Sequence, residues 1–219
     1  MTPALYAHPF SSYCQKALIA LYENATPFDF KPLDPQAPEN FETLAKMWPI
    51  GKFPVLDDDG VVVPEATTII EHLAIYHPGP VCLIPADPKR AVHVRMMDRI
   101  FDNYVMTPTT WIVLNALRPL EARDPLTVEQ GRTMLDTAYK WLDGHMAGKQ
   151  WVSDGTFSLA DCAAAPSLFY ADWAHPIAEE FGELRAYRNR LLARPSFARA
   201  VDEARPYRQN FPLGAPDRD

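Results

Sequence analysis

Apolar and polar residues alternate in two different ways along this chain, and the change falls between residues 78 and 89. Before it, short apolar runs and helical patterns take turns. Ala4 to Ala7 is short and mostly apolar, His8-Pro9-Phe10-Ser11-Ser12 has turn composition, and Ala17, Leu18, Leu21 and Tyr22 then recur at helical spacing. Phe28 and Phe30 alternate with polar neighbours as a second strand. Glu39 to Met47 suits a short helix that ends at Trp48-Pro49, because the residue before a proline is pushed out of the α region.

Phe53-Pro54-Val55-Leu56 and Val61-Val62-Val63 flank Asp57-Asp58-Asp59-Gly60, a hairpin signature in which Asp-Gly supplies the positive φ of a tight turn. Ile69, Ile70, Leu73 and Tyr76 predict a helix with one buried face. The order is βαβαββα over residues 1–78, followed by a stiff linker over 79–88 where Pro80, Pro85 and Pro88 crowd together. From residue 89 to 219 no strand pattern is evident. Arg95 to Val105, Val128 to Met146, Leu159 to Trp173, Leu184 to Leu192 and Phe197 to Ala204 read as helices, with Pro108, Pro119 and Pro195 as breaks. The expected architecture is an α/β domain followed by an all-α helical bundle.

Composition narrows the function without naming it. The 219 residues are 47% hydrophobic and carry a formal net charge of -7 with no basic tract, so there is no electrostatic footprint for nucleic acid or an anionic membrane surface. No apolar run reaches the roughly 20 residues of a membrane span, and the first residues lack a basic, cleavable leader. A cytoplasmic protein with a small-molecule partner is expected. Cys14, Cys82 and Cys162 are odd in number and widely spaced, which argues against a disulfide framework or a zinc site. The six histidines are scattered, and His72 and His77, five apart, do not share a helix face, so no metal is expected.

Candidate chemistry gathers at the turns of the first half. Ser11-Ser12-Tyr13-Cys14 lies where a strand passes into a helix, and free backbone N–H groups with the positive helix end can hold an anion there. Ser12 with Gln15 makes a capping box, which would leave the Ser11 hydroxyl free for a ligand. Cys14, beside Ala17 and Leu18, reads as a small buried residue rather than a nucleophile. Glu65-Ala66-Thr67 opens a helix whose N–H groups can bind a carboxylate while Glu65 attracts an amine. Ser158 and Asp161 form another capping box, with a structural reading. Tyr104, Trp111, Tyr170 and Trp173 could line an aromatic pocket, but aromatics at helical spacing are usually core.

Taken together, Ser11-x-x-Cys14, Gly51-Lys52-Phe53-Pro54-Val55-Leu56, Glu65-Ala66 with Ile69 and Leu73, and Phe157-Ser158-Leu159-Ala160-Asp161 resemble the cytosolic glutathione transferases in order and spacing. Asp87-Pro88-Lys89-Arg90-Ala91 and Arg194-Pro195-Ser196-Phe197 extend the likeness over nearly the whole chain. The resemblance implies a thioredoxin-like first domain with a mixed sheet, whose Cys-x-x-Cys turn here has Ser11 in place of the first cysteine. It implies a cis-proline at Phe53-Pro54 facing that turn. Position Ala7 matches the tyrosine that some members use, so the chain is similar to the serine-type branches; Cys14 keeps a cysteine-type reading open.

By the same resemblance, Ser11 activates the thiolate of glutathione, the cosubstrate, for attack on a small hydrophobic electrophile, as in detoxification. Lys52, Phe53, Glu65 and Ala66 bind glutathione. The family usually has serine after the glutamate, so Ala66 removes a hydroxyl from the γ-glutamyl carboxylate unless Thr67 or water replaces it. A homodimer is implied, in which Asp98 or Asp102 of the partner chain reaches the ligand amine. Two alternatives stand beside the transferase: a glutathione-dependent disulfide reductase or isomerase, and a non-catalytic dimeric binding module of the same fold.

Overall fold

The computed structural model describes residues 2–153 and 155–219; Met1 and Asp154 lie outside the described residues. The first domain runs β1 (Ala4–Ala7), α1 (Ser12–Glu23), β2 (Asp29–Pro32), α2 (Pro38–Met47), β3 (Val55–Asp58), β4 (Val61–Pro64) and α3 (Ala66–Tyr76). Its four strands lie in the order β2-β1-β3-β4, with β1 parallel to β2 and antiparallel to β3. Leu5 pairs with Phe30 on one side and Leu56 on the other, which sets the register of the sheet. At the hairpin tip Asp59 and Gly60 both have positive φ, +55° and +85°, as a tight turn between right-twisted strands requires. Period-two alternation places Leu5, Ala7 and Leu56 against α1 and α3, and Tyr6 and Val55 against Leu33 and Leu44 on the opposite face.

The second domain is helical. It comprises α4 (Pro88–Ile100), α5 (Thr107–Leu117), α6 (Pro125–Met146), α7 (Leu159–Ala174), α8 (Gly182–Leu192) and α9 (Pro195–Ala204), with short 3-10 turns at Leu120–Ala122 and Arg205–Asn210. The proline break expected at Pro108 comes out differently, and α5, which follows it, is not among the helices expected from sequence. Pro108 does not end a helix: Phe101–Met106 forms a π-helical stretch joining α4 to α5, and Ile100, Phe101, Met106 and Thr107 all keep right-handed helical dihedrals. A π turn shifts the hydrogen-bond ladder where the proline lacks its N–H. The hydroxyls of Thr107, Thr109 and Thr110 bond to the carbonyls of Asp102, Val105 and Met106 through the same region. Pro195 falls between α8 and α9 as expected, and it begins α9 at the first turn, where no donor is lost.

Helix α7 is buried along its whole length, so the bundle is built around it. Its capping box has become a hub. The Asp161 carboxylate accepts from the Ser158 N–H at 2.9 Å and the Ser158 hydroxyl at 3.0 Å, and also from the Val152 N–H and the Tyr187 hydroxyl. Burial raises the Asp161 carboxyl above its ordinary range, and these donors act against that. Helix α1 packs on α3 and also on α7 and α9, so Ile19, Ala20 and Ile70 belong to the same apolar core as the bundle.

The histidines are not all scattered. His77 caps α3 with φ −133° and ψ 54°, outside the helix, which swings its ring beside His72; both Nε2 atoms face the Asp58 carboxylate at 2.8 and 2.7 Å. A helix-face argument does not apply to a residue that has already left the helix.

Candidate functional site

A cavity of about 320 Å³ opens where the first turn of α1, the loop before β3, the start of α3 and the α4 to π-helix junction meet. Lys52, Phe53, Glu65 and Ala66 all line it, so the four residues expected to bind ligand come together. The Phe53-Pro54 bond is cis. Tyr13, Trp48, Arg99, Asp102 and Asn103 complete the wall. None of these five is assigned to ligand binding within the chain by sequence, because four come from the helical domain or the loop after α2 and carry no local motif.

Each wall has a local cause. Glu65 stands just before α3 with φ +69°, a left-handed conformation that a non-glycine residue holds only when its surroundings demand it. Its side chain makes no cap bond, while its carbonyl accepts from Ile69. The first N–H groups of α3 therefore face the cavity without a side-chain cap, as an anion site requires. Lys52 and Arg99 bring positive charge, Glu65 and Asp102 negative charge, so the cavity suits a zwitterion. Burial, reinforced by the Asp102 carboxylate, pushes the Tyr13 hydroxyl up to about 12, so it stays a neutral donor.

Behind this wall lies an ion cluster. Lys16, 1% exposed, points from α1 to Asp98 at 2.6 Å, Asp102 at 2.8 Å and the Thr67 hydroxyl at 2.9 Å. Arg99 bonds to Asp98, Asp102 and Thr67 from the solvent side. Burial raises the Asp102 carboxyl, and Lys16 opposes the rise. Two consequences correct the sequence reading. The Thr67 hydroxyl donates to Asp98 and receives Lys16 and Arg99, so it does not stand in for the hydroxyl missing at Ala66. Asp98 is fully buried, so it does not reach across to a partner's ligand; Asp102 lines its own chain's cavity. The signal available in sequence was Lys16 itself, a cation directly before the apolar run Ala17 to Tyr22 of the same helix.

At the Ser11 turn it is Ser11, not Ser12, that caps the helix. Ser11 is the cap residue of α1, and its hydroxyl accepts from the Cys14 N–H over a long 3.5 Å. Ser12 is the first helical residue, and the Gln15 amide reaches the Pro9 carbonyl and the Tyr170 hydroxyl, so no Ser12–Gln15 box forms. The helix begins one residue earlier than that box assumed, because the turn closes through Ser11 N–H to the His8 carbonyl. Ser11 does not line the 320 Å³ cavity; it sits half-buried two residues before Tyr13, which does. A 3.5 Å cap bond is weak and leaves the hydroxyl hydrogen available.

Cys14 is fully buried and accepts from the His8 N–H, and burial pushes its thiol up to about 12. It is a packing residue. Of the four aromatics, Tyr170 and Trp173 are buried around Phe10, whereas Tyr104 and Trp111 line a separate apolar groove of about 860 Å³ between the α4–α5 path and α6.

Comparison with known proteins agrees with this arrangement. Residues 5–81 match the family model described as glutathione S-transferase, N-terminal domain, and residues 125–190 match glutathione S-transferase, C-terminal domain. A probable maleylacetoacetate isomerase of Caenorhabditis elegans is 26% identical over 209 residues, covering 93% of this chain and 95% of that protein. Glutathione S-transferase hmp2 of Hypomyces subiculosus is 25% identical over 214 residues, covering 94% and 100%. A crystal structure of a glutathione S-transferase from Methylobacterium radiotolerans in complex with glutathione sulfonate superposes with a TM-score of 0.78 at 25% identity, covering 92% of this chain and 95% of that one. No helix among the described residues is long and apolar enough to cross a membrane. With both domain models matched in order along one chain and the fold shared end to end, this protein belongs to the glutathione S-transferase family.

Proposed function

We propose that the chain is a glutathione transferase in which Ser11 donates a hydrogen bond to the glutathione sulfur and the positive end of α1 adds to it. The observation that carries the reading is the convergence of Lys52, Phe53, Glu65 and Ala66 on one cavity beside the Ser11 turn. The uncapped N–H groups of α3 hold the γ-glutamyl carboxylate, and Glu65 with Asp102 holds its amine. The extended peptide lies along Phe53. Lowering a thiol pKa by two units takes about 2.7 kcal/mol, within reach of a hydrogen bond to an anion plus a helix terminus. The thiolate then forms a thioether with a small hydrophobic electrophile, displacing a leaving group or adding to a double bond.

Ser11→Ala is expected to raise the pKa of the bound thiol and to lower turnover roughly tenfold to a hundredfold, the value of one hydrogen bond to a charged group. Ultraviolet titration of bound glutathione and steady-state kinetics read the two effects. If neither moves, Ser11 has no part in the chemistry. Ala66→Ser is expected to tighten glutathione binding by about tenfold, since it restores a hydroxyl to the carboxylate site. Calorimetry measures it.

Similarity to the nematode protein named as an isomerase favours a second reading, in which the same thiolate adds to a substrate double bond and leaves again after rotation. Product analysis separates the two: conjugation consumes glutathione, and isomerisation returns it. We place the enzyme in the cytoplasm as a homodimer. Exposed Tyr104, Trp111, Leu126 and Trp141 along the apolar groove on the helical domain support that association.

A further inference from the structure

We propose that Asp58, His72 and His77 form a binding site for a borderline divalent transition-metal ion, zinc in the first instance. The three residues come from separate places in the first domain: Asp58 ends β3, His72 lies in the last turns of α3, and His77 is the residue that closes that helix. Their ligand atoms, one carboxylate oxygen and two imidazole nitrogens, all lie within 4.8 Å of one another. Both Nε2 atoms address the same oxygen, Oδ2, from His72 at 2.7 Å and from His77 at 2.8 Å. The set is partly buried, with side-chain exposures of 14% for Asp58, 10% for His72 and 26% for His77, so it is held in place and still open to solvent.

The donor chemistry selects the ion. Two imidazoles and one carboxylate suit zinc and its first-row neighbours, whereas magnesium and calcium prefer all-oxygen sets. Zinc bonds of about 2.0–2.2 Å in tetrahedral geometry need ligand atoms roughly 3.4 Å apart. Each imidazole must therefore retreat from Oδ2 by about 0.6 Å, a side-chain adjustment that leaves the backbone untouched. The ion replaces the two Nε2–H to Oδ2 hydrogen bonds, and both rings pass to the Nδ1–H tautomer, so two neutral histidines enter coordination without losing a net proton. Three protein ligands leave a fourth position for water. The carbonyl end of α3 adds negative potential at the point where the cation would sit.

Position separates this site from the ligand cavity. Ala66 begins α3 and lines that cavity, while His77 closes the helix about 16 Å away, from 1.5 Å per residue over its 11 residues. A metal here ties the β3–β4 hairpin to the far end of α3, and it does not depend on the glutathione reading.

The test uses the full-length untagged protein, stripped of metal with EDTA. Calorimetric titration with zinc chloride is expected to show one ion per chain with micromolar affinity, and cobalt(II) is expected to give visible d–d bands of a four-coordinate site. His72→Gln and His77→Gln are each expected to weaken zinc binding at least about tenfold, while Cys82→Ser leaves it unchanged. Zinc is also expected to protect His72 and His77 of the unsubstituted protein from diethyl pyrocarbonate, read by peptide mass spectrometry, so the site is located even if a variant fails to fold. Absence of binding at 100-fold excess zinc over protein overturns the proposal. So does binding that leaves both histidines unprotected.

Discussion

Lys16→Met is expected to destabilise the protein by about 3–5 kcal/mol, the usual consequence of removing one partner from a buried ion cluster. Lys16 is 1% exposed, and it is the cation that reaches both Asp98 and Asp102 from the protein interior. Arg99 meets the same carboxylates from the solvent side and remains half-exposed, so it balances only part of the charge left behind. Methionine fills similar volume, which separates the lost charge from a cavity effect. At roughly 2–4 °C per kcal/mol for a chain of this size, the melting temperature should fall by about 10 °C. Adding Asp98→Asn to Lys16→Met is expected to recover a good part of that loss, because it removes a carboxylate that no longer has its partner. A single substitution that leaves the melting temperature within a degree would mean that the cluster is hydrated and carries no such weight. Glutathione affinity should fall in the same variant, since Asp102, which accepts from Lys16, and Arg99, which shares that carboxylate, both line the ligand cavity.

The second large effect lies in the bundle. Asp161→Ala is expected to cost about 4 kcal/mol, because the Val152 N–H, the Ser158 N–H and the Tyr187 hydroxyl all lose a buried acceptor at once. Each orphaned donor costs about 1–3 kcal/mol, and the sum is reduced where neighbours relax. Tyr187→Phe removes only one member and should cost about 1 kcal/mol. Chemical denaturation of the two variants measures the difference; a loss of only about 1 kcal/mol for Asp161→Ala with none for Tyr187→Phe would show that Asp161 acts only as a helix cap. Since α7 packs against α1, loss of its anchoring should also loosen the first domain, visible as earlier hydrogen exchange in α1.

Ser158 and Asp161 show how local and distant information divide. Their spacing predicts a helix start, and the helix does start there. That the same carboxylate also receives Val152 and Tyr187 depends on the loop before it and on α8, neither of which a three-residue spacing describes. The Ser11 turn failed in the opposite way. A correct helix was assigned a cap one residue late, because Gln15 has a better partner in Tyr170, 155 residues further on. Tertiary partners outcompete local capping when both are within reach of one side chain.

The wall of the cavity was legible where it is made by consecutive residues. Lys52-Phe53 and Glu65-Ala66 are short backbone features set by a cis-proline loop and a helix start, and both line the cavity. Arg99, Asp102 and Asn103 were not legible as neighbours of those residues, since only the packing of α1 and α3 against the helical domain carries them there. The resemblance gives Asp98 or Asp102 to a ligand held by the partner chain. The buried Lys16 gives both of them a partner within this chain.

By itself, the chain's pattern of apolar positions and turn residues determined the βαβαββα order of the first domain, the division into an α/β domain and a helical one, the hairpin at Asp59-Gly60 and the burial of Cys14. These follow from periodicity, turn chemistry and backbone sterics, which act between residues close in sequence. Only the tertiary structure decided that Pro108 sits after a π turn in a continuing helical path, that Lys16 is a buried counter-ion, and that His77 leaves its helix to join His72 at Asp58. Each of those depends on a partner far along the chain or on how one helical turn is wound. Charge and hydrogen bonding are satisfied in three dimensions, and the cost of leaving a buried group unpaired selects among conformations that local patterns rank equally.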